Sequence, residues 1–297
     1  MNSLISAASD LALPAWDGLP HNSSFVAVPG FAEPLQVAWD STSLGALKTC
    51  PAYYKYTIVD GWTPRSVSVH LIFGLHYHAA LERYDHARTQ GHDHQSAHRL
   101  ALRYALEATW DYDLGRPWDS EDKYKNRETL IRTVSWYLDR FEDDPLETVQ
   151  LASGKPAVEL SFRFETDYPS PAGHNYWLSG HLDRVANFQG NTYIVDRKTS
   201  KSTLTPEYFA KYSPDNQFSL YAFASKVVYG TPVQGLIVDA AQVAVTLSDF
   251  RRGFVDRSDA VLEEWYLDLG EYLAQAERYA RTGYYPRNDK SCNNYGG

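Results

Sequence analysis

The spacing of apolar residues changes near Pro145, and the two sides of that point predict different kinds of element. Before Pro145, apolar positions recur every three or four residues, as they do along one face of an α-helix. The predicted helices cover 41–56, 66–90, 95–112 and 121–142. The buried face of the last one is predicted to consist of Leu130, Val134, Tyr137, Leu138 and Phe141.

After Pro145, apolar and polar residues alternate, which is typical of β-strands. The predicted strands cover 157–165, 175–188, 191–200, 233–245 and 251–257. Helical spacing returns over 205–230, where Pro214 interrupts it, and over 258–283, which Ser258 or Asp259 caps and Gly283 ends. The order of elements predicts an α/β protein.

Four parts are expected along the chain. Residues 1–40 are rich in Pro, Ser and Gly and predict an irregular arm, and 41–145 predict a helical part. An α/β core is expected over 146–283, followed by a C-terminal tail over 284–297.

Composition narrows the class of protein. The net charge of −9 argues against a protein that coats nucleic acid through its overall field, although it permits a local basic groove. No apolar run approaches the ~18 residues of a membrane span. The N-terminus also lacks the basic segment of a secretory signal. A soluble cytoplasmic protein is expected. The sequence has no Gly-rich phosphate-binding motif, so ATP use is not expected.

The pair Gln189-Gly190 predicts a two-residue hairpin loop between the strands at 175–188 and 191–200. With that loop, Asp183 lies opposite Asp196, and directly opposed residues share a face of the sheet. A three-residue loop would instead place Asp183 opposite Arg197, on the wrong face. The position of the first carboxylate therefore depends on the register of the hairpin.

Two opposed carboxylates repel each other, so a divalent cation is the natural reason to bring them together. Mg²⁺ and Mn²⁺ prefer oxygen ligands of this kind. Lys198 lies two residues beyond Asp196 and therefore on the same face. Its amine could orient or deprotonate an attacking water, or neutralise charge on a phosphate.

Three short motifs then occur in a recognisable order: Gly180-His181-Leu182-Asp183, Asp196-Arg197-Lys198, and Gln217 with Tyr221 four residues later. Together they resemble the signature of the RecB-like branch of PD-(D/E)XK nucleases. This branch includes the nuclease domains of RecB and AddB, CRISPR-adaptation nucleases and phage exonucleases. The resemblance implies a restriction-endonuclease-like core, a mixed central sheet flanked by helices, with the helical N-terminal part packed onto it.

The resemblance also implies roles for individual residues. Metal ligands would be His78, Asp183, Asp196 and the backbone carbonyl of Arg197. His78 is preferred to His76 because Glu82 lies one turn after it, as in the family's helical motif. Catalysis would involve Lys198, Asp183 and Asp196, with Glu159, Gln217 and Tyr221 in support. DNA contacts are expected from Arg184, Lys201, Lys211, Gln217 and Tyr221.

Cys50 opens the segment "CPAYYKY", which resembles the first ligand motif of RecB-like members that carry a [4Fe-4S] cluster. Cys292 stands where the first of three C-terminal ligands would lie. Such a cluster takes four thiolates and this chain has two cysteines. Either a longer native chain supplies the remaining ligands, which the ending "NNYGG" favours, or the cluster has been lost.

The implied activity is Mg²⁺- or Mn²⁺-dependent hydrolysis of DNA, as an exonuclease on single strands or ends in repair, recombination or phage DNA processing. One alternative is a non-cleaving DNA-binding or scaffolding module, whose sign would be a missing ligand or lysine; none is missing from the motifs. Another is a nuclease subunit active only with a helicase, recombination or CRISPR-adaptation partner.

Overall fold

The centre of the fold is a mixed sheet of seven strands with helices on both faces. The computed structural model describes residues 24–65, 67–151, 154–229 and 233–291. The strands are β1 Phe25–Val26, β2 Leu35–Gln36, β3 Ala38–Trp39, β4 Trp110–Asp111, β5 Arg116–Pro117, β6 Glu147–Thr148, β7 Val158–Pro169, β8 Asn175–Phe188, β9 Asn191–Ser200, β10 Val233–Val243 and β11 Ser248–Val255.

The sheet order is β11-β10-β9-β8-β3, and β6 and β7 also pair with β8. The β9–β10 and β3–β8 pairs are parallel, whereas the other pairs of this sheet are antiparallel. The helices are α1 Ser41–Thr49, α2 Pro51–Tyr54, α3 Val69–Thr89, α4 His94–Ala108, α5 Arg127–Arg140, α6 Pro206–Ala210, α7 Asn216–Ala224 and α8 Asp259–Thr282, and single π-helical turns cover Lys55–Val59 and Ser225–Tyr229.

Strand β10 separates the two helical layers, because its successive side chains point to opposite faces. Ala241 and Val243 pack in one cluster with side chains of α3, α4 and α5. Val238 and Ala240 pack in another cluster with side chains of α7 and α8. Helices α3, α4 and α5 of the N-terminal part thus form the layer on one face of the sheet, whereas α1 and α2 pack in the same cluster as α7 and α8.

Most predicted elements are confirmed. Strands β8 and β9 have the predicted bounds, and α8 begins after the Ser258 cap and ends at Gly283. Gly283 has a φ of 70°, a left-handed conformation that glycine adopts without strain. The helical stretch predicted over 205–230 with an interruption at Pro214 forms two short helices, α6 and α7, on either side of that proline.

Of the predicted irregular arm over 1–40, residues 1–23 lie outside the described residues, and residues 24–40 contain the three two-residue strands β1, β2 and β3. Leu35 and Trp39 are fully buried, and β3 adds to the central sheet beside Trp177 and Leu178. Each of these strands has only two residues, so no periodicity marks them.

The hairpin between β8 and β9 has the predicted two-residue loop. Phe188 pairs with Asn191, and the register continues to Arg184 opposite Val195. Gln189 and Gly190 both have positive φ, 50° and 81°, as a type I′ turn requires. The loop length on which the metal-site prediction depended is therefore confirmed.

Strand β8 has an opening along one edge. β9 pairs with β8 only as far as Arg184, and β3 pairs along the same edge only at Trp177 and Leu178. The opposite edge is occupied by β7 and β6. Residues 179–183 of β8 therefore have no strand partner on the first edge among the described residues. This opening exposes the strand to side chains from other elements.

A buried ion pair fixes α3 against β9. The Arg197 guanidinium lies 2.7 Å from Asp85 Oδ2, and the two side chains are 3% and 5% exposed. Asp85 follows His78 by seven residues, so the same face of α3 carries both side chains. The ion pair therefore sets the position of the helix that carries His78.

Replacing Asp85 with alanine is expected to lower the free energy of unfolding by about 3–5 kcal/mol, because it leaves a buried guanidinium without its counter-charge. Urea denaturation would measure the change. Glu107→Ala is the matched control, since it breaks the solvent-exposed Arg103–Glu107 pair and should change stability little. Equal effects of the two substitutions would contradict this account.

No described helix has both the length and the apolar character required to cross a membrane.

Candidate active site

Carboxylates from three adjacent strands meet at the opening in the β8 edge. The β7–β8 register pairs Val158 with Arg184 and Leu160 with Leu182, so Glu159 lies opposite Asp183. Asp196 lies on β9, one residue beyond the last hydrogen-bonded pair of the hairpin. The predicted direct pairing of Asp183 with Asp196 gives way to another contact, in which the Arg197 amide donates to Asp183 Oδ2 at 2.8 Å.

His78 reaches this group from α3. Its Nδ1 lies 3.3 Å from Asp183 Oδ2. His78, Glu159 and Asp183 each offer one ligand atom, and these atoms lie within 4.8 Å of one another. His76, the competing candidate, instead faces the ring of Trp118 at 6.3 Å. The structure thus brings the preferred histidine, and not its competitor, to the carboxylates.

Lys198 connects the carboxylates to α7. Its Nζ lies 2.7 Å from Asp196 Oδ2 and donates to Gln217 Oε1 at 2.9 Å. Gln217 Nε2 in turn donates to the Tyr221 hydroxyl at 2.8 Å. Tyr221 is 6% exposed and belongs to the core, and in the site its hydroxyl group holds the Gln217 amide.

Gly180 allows the Phe162 ring to pack closely against β8. A Cβ at this position would lie 2.6 Å from the Phe162 ring, well inside van der Waals contact. The Phe162 ring packs edge-to-face on Tyr221 at 6.2 Å. The glycine of the first motif therefore lets Phe162 support the tyrosine that orients Gln217.

The three carboxyl groups have different proton affinities. Burial, together with the charges of Asp183 and Glu82, raises the pKa of Glu159 to about 7. Burial raises the pKa of Asp196 to about 6, with Lys198 opposing and Asp183 adding to the shift. For Asp183, burial is outweighed by the hydrogen bond and charge of His78, so its pKa is lowered. Asp183 is therefore ionised at neutral pH, whereas the other two titrate near it.

Lys198 is held in its charged form. Burial lowers the pKa of its amine, but the Asp196 carboxylate outweighs this effect and the net pKa is raised. The ammonium form can donate hydrogen bonds but cannot accept a proton. Of the three roles considered for Lys198, orienting a water and neutralising a phosphate suit this state, whereas deprotonating a water does not.

The donor atoms fit a hard divalent cation. Carboxylate oxygens and one imidazole nitrogen suit Mg²⁺ and Mn²⁺ better than soft metals, and the grouping includes no described cysteine. The Arg197 guanidinium points away to Asp85, so only the backbone of Arg197 faces Asp183. The role predicted for its carbonyl remains a prediction.

The predicted DNA contact of Arg184 is wrong, whereas Lys201 and Lys211 are accessible. Arg184 is 5% exposed, and its guanidinium donates to Thr148 Oγ1 and to the Leu146 carbonyl, so it cannot reach a DNA strand. Arg184 is charged and follows Asp183 in the sequence, but its side chain points to the opposite face of β8. Lys201 and Lys211 are exposed; the first pairs with Asp122 and the second lies over the Tyr208 ring.

Sequence reasoning missed Asp85, although its spacing of seven residues from His78 was available as a signal. It also passed over the side chains that surround the opening in β8, notably Arg163 and His181, which line the same recess as Gln217 and Tyr221. His181 is an unspecified position of the first motif and Arg163 lies in none, and their proximity depends on the β7–β8 register.

The C-terminal tail packs against the start of α2. Cys50 is buried, and its Sγ accepts a hydrogen bond from the Asn288 amide at 3.4 Å. Cys292 lies outside the described residues. A [4Fe-4S] cluster takes four thiolates, and the two cysteines of this chain do not provide them. The residues present therefore do not fit an all-cysteine cluster.

Comparison with solved structures places the fold. A presumed exonuclease from Eubacterium rectale is similar over 86% of this chain and 87% of its own, with a TM-score of 0.50 and 14% sequence identity. A second structure, that of SSO0001, has a TM-score of 0.27 at 12% identity over 53% of this chain and 74% of its own. None of the curated proteins compared with the chain matches it significantly.

The seven-stranded mixed sheet between helical layers is similar in fold to the structure from Eubacterium rectale. The model of the PD-(D/E)XK nuclease superfamily matches residues 39–294. The chain belongs to this superfamily, whose members generally use divalent metals.

Proposed function

We propose that this protein is a Mg²⁺- or Mn²⁺-dependent deoxyribonuclease that acts as an exonuclease on single strands or DNA ends. The observation that carries the proposal is the convergence of His78, Glu159 and Asp183 beside the Asp196–Lys198 ion pair. Membership of the nuclease superfamily and the exonuclease-like fold support the reaction class. DNA as substrate and exonucleolytic action belong to the proposal.

In the proposed mechanism, His78, Asp183 and Asp196 hold the divalent cation, with the Arg197 carbonyl as a further ligand. When bound, the cation supplies Lewis acidity towards the phosphate and lowers the pKa of water. The Arg197 amide keeps the Asp183 carboxylate in place by its 2.8 Å hydrogen bond. The ligands are thus oriented by the backbone of the strand that carries Asp196 and Lys198.

Lys198 would orient the attacking water and stabilise charge on the phosphate through its ammonium group. Gln217 accepts from this ammonium and is itself held by Tyr221, so the amine has one defined direction. Glu159, with a pKa of about 7, is the group able to take a proton at neutral pH. The proposal therefore gives proton transfer to Glu159 rather than to Lys198.

Cleavage of end-labelled oligonucleotides tests the proposal. Single-stranded and duplex DNA, and RNA of the same sequence, would be incubated with Mg²⁺, Mn²⁺ or EDTA. Shortening that requires the metal and proceeds from one end is the expected result, and the labelled end gives its polarity. Binding without cleavage under all conditions would favour a DNA-binding module or a subunit that needs a recombination, helicase or CRISPR-adaptation partner.

Metal affinity is expected to fall as the pH is lowered. Asp196, a proposed ligand, has a pKa raised to about 6, and Glu159, beside the ligands, has a pKa raised to about 7. Lowering the pH from about 8 to about 5.5 therefore protonates one ligand and removes a neighbouring negative charge that attracts the cation. Calorimetric titration with Mn²⁺ should show affinity weaker by a factor of about 10 or more at pH 5.5 than at pH 8.

The variant Glu159→Gln separates the two groups in this experiment. It removes the titration near pH 7, so the remaining loss of Mn²⁺ affinity should move to lower pH, near the pKa of Asp196. Affinity that stays constant from pH 5.5 to 8 in the unaltered protein would contradict the assigned carboxylate ligands.

A further inference from the structure

Beyond the carboxylates, the same face of the β7–β8 pair carries two rows of polar side chains. The register sets Ser161 opposite His181 and Arg163 opposite Ser179. These residues have the same parity along their strands as Glu159 and Asp183, so they continue one face outward from the site. Successive rows are about 6.6–6.8 Å apart, because each residue of a strand advances 3.3–3.4 Å.

This face forms one wall of a recess of about 320 Å³. The facing wall includes Ser41 and Thr42, at the start of α1. Gln217 also lines the recess, and its Oε1 accepts from the Lys198 ammonium. The recess therefore borders the proposed catalytic centre at Gln217.

Arg163 has a hydrogen-bond donor without an acceptor among the described residues. Its guanidinium lies 5.1 Å from the centroid of the Trp177 ring, which holds the charged group by a cation–π contact. Its Nε is buried and has no hydrogen-bond partner among the residues that the structure describes. Guanidinium groups with free donors bind phosphate in a bidentate manner.

His181 and the hydroxyl groups complete a set of phosphate-binding side chains. His181 Nδ1 and the Ser161 hydroxyl lie 2.9 Å apart, which orients the imidazole. The acidic side chain that also lines the recess, Asp40, accepts from the Ser43 amide at 2.7 Å as the cap of α1. Its carboxylate is thus engaged by the backbone of the helix.

We propose that this recess binds a phosphate group of the substrate strand, adjacent to the phosphate at the catalytic centre, with Arg163 as the principal contact. The proposal rests on the proposed nuclease function for the identity of the strand. The phosphate is either an internal phosphodiester or a terminal phosphate, and the chemistry of recognition is the same for both.

The test measures binding of a single-stranded DNA oligonucleotide in EDTA, so that no cleavage occurs. Fluorescence anisotropy would be recorded over a range of salt concentrations. Arg163→Ala should weaken binding about tenfold, the effect of losing a charge-assisted bidentate contact. The slope of log affinity against log salt should fall by about 0.7, the value for one phosphate contact on a single strand.

Two further variants control the result. Arg281→Ala removes an exposed arginine that also lies on an aromatic ring, 4.8 Å from the Phe31 centroid at the end of α8, and it should bind as the unaltered protein does. Arg163→Lys keeps the charge, so it should retain the salt slope while it loses part of the affinity. Thermal melting of each variant establishes that it is folded.

Oligonucleotides with and without a terminal phosphate identify the source of the bound group. A loss in Arg163→Ala that is equal for all of them assigns an internal phosphodiester, whereas a loss confined to a 5′- or 3′-phosphorylated strand assigns that terminus. If Arg163→Ala binds every strand as Arg281→Ala does, with the same salt slope, the recess is not a phosphate site.

The failure of this proposal can be separated from failure of the proposed function. A protein that cleaves DNA but shows no Arg163 dependence would overturn the recess and leave the nuclease activity standing. A protein that binds DNA through Arg163 but cleaves nothing with Mg²⁺ or Mn²⁺ would support the phosphate-binding recess and overturn the proposed nuclease activity.

Discussion

Replacing Lys198 with alanine is expected to lower the rate of metal-dependent DNA cleavage by about 10²–10⁴-fold, the range for a positioned catalytic side chain. The substitution removes the ammonium that lies between Asp196 and Gln217. Because Asp183 and His78 are untouched, Mn²⁺ should still bind. Single-turnover cleavage of an end-labelled strand would measure the rate, and calorimetry the metal affinity.

Lys226→Ala is the control for Lys198, because its amine pairs with Asp259 at the start of α8 rather than with the site residues. It should cleave at the unaltered rate. A Lys198→Ala protein that cleaves within a factor of about three of the Lys226→Ala protein would exclude Lys198 from the chemistry. The site would then have to work through the carboxylates alone.

Asp183→Asn is expected to lower the cleavage rate by about 10³-fold or more, since it removes a carboxylate from the ligand set and with it several kcal/mol of charge stabilisation. Asp183 is the carboxyl group whose pKa is lowered, so it supplies its negative charge at neutral pH without losing a proton first. The variant should also lose the thermal stabilisation that Mn²⁺ gives the unaltered protein.

The matched control is Asp268→Asn, an exposed position on α8 that should leave both the rate and the Mn²⁺ effect unchanged. Retention of Mn²⁺ stabilisation by Asp183→Asn, with activity near that of the control, would show that the metal binds elsewhere. Loss of activity with Mn²⁺ binding retained would instead give Asp183 a role other than ligation.

The substitutions at Lys198 and Asp183 test different parts of the proposed mechanism. Lys198→Ala separates catalysis from metal binding, whereas Asp183→Asn removes both. A protein in which neither substitution matters, although DNA is bound, would be the non-cleaving module that was considered at the start. Activity that appears only after a partner protein is added, and then depends on both residues, would identify a subunit of a larger nuclease.

Local pattern was sufficient for the central part of the fold. The bounds of β8 and β9 follow from partial alternation in β8, from the apolar run that opens β9 and from the Gln189-Gly190 turn, whose positive φ angles suit a two-residue hairpin. That register brings Asp183 and Asp196 to the same end of the hairpin, but pairing stops at Arg184 opposite Val195, and the Arg197 amide contacts Asp183 instead. Helix α8 was equally predictable, because its cap at Ser258 and its stop at Gly283 are local signals.

Local pattern failed where elements are short or where contacts are long-range. Arg184 was expected to contact DNA, yet it is buried on the opposite face of β8, where it donates to the Leu146 carbonyl. The side chain next to a catalytic residue on a strand points away from it, and only knowledge of what covers that face shows the consequence. The short strand β3 was missed for a related reason, since two residues show no period.

The sequence by itself determined the hairpin, the order of the motifs and the chemical types of the site residues, because each depends on neighbours within a few positions. Only the tertiary structure brought His78 to Asp183, paired Asp85 with Arg197 and placed Arg163 in the same recess as Gln217. These contacts join residues dozens to more than a hundred positions apart. Which of them form depends on how the helices pack on the sheet, and no local period encodes that packing.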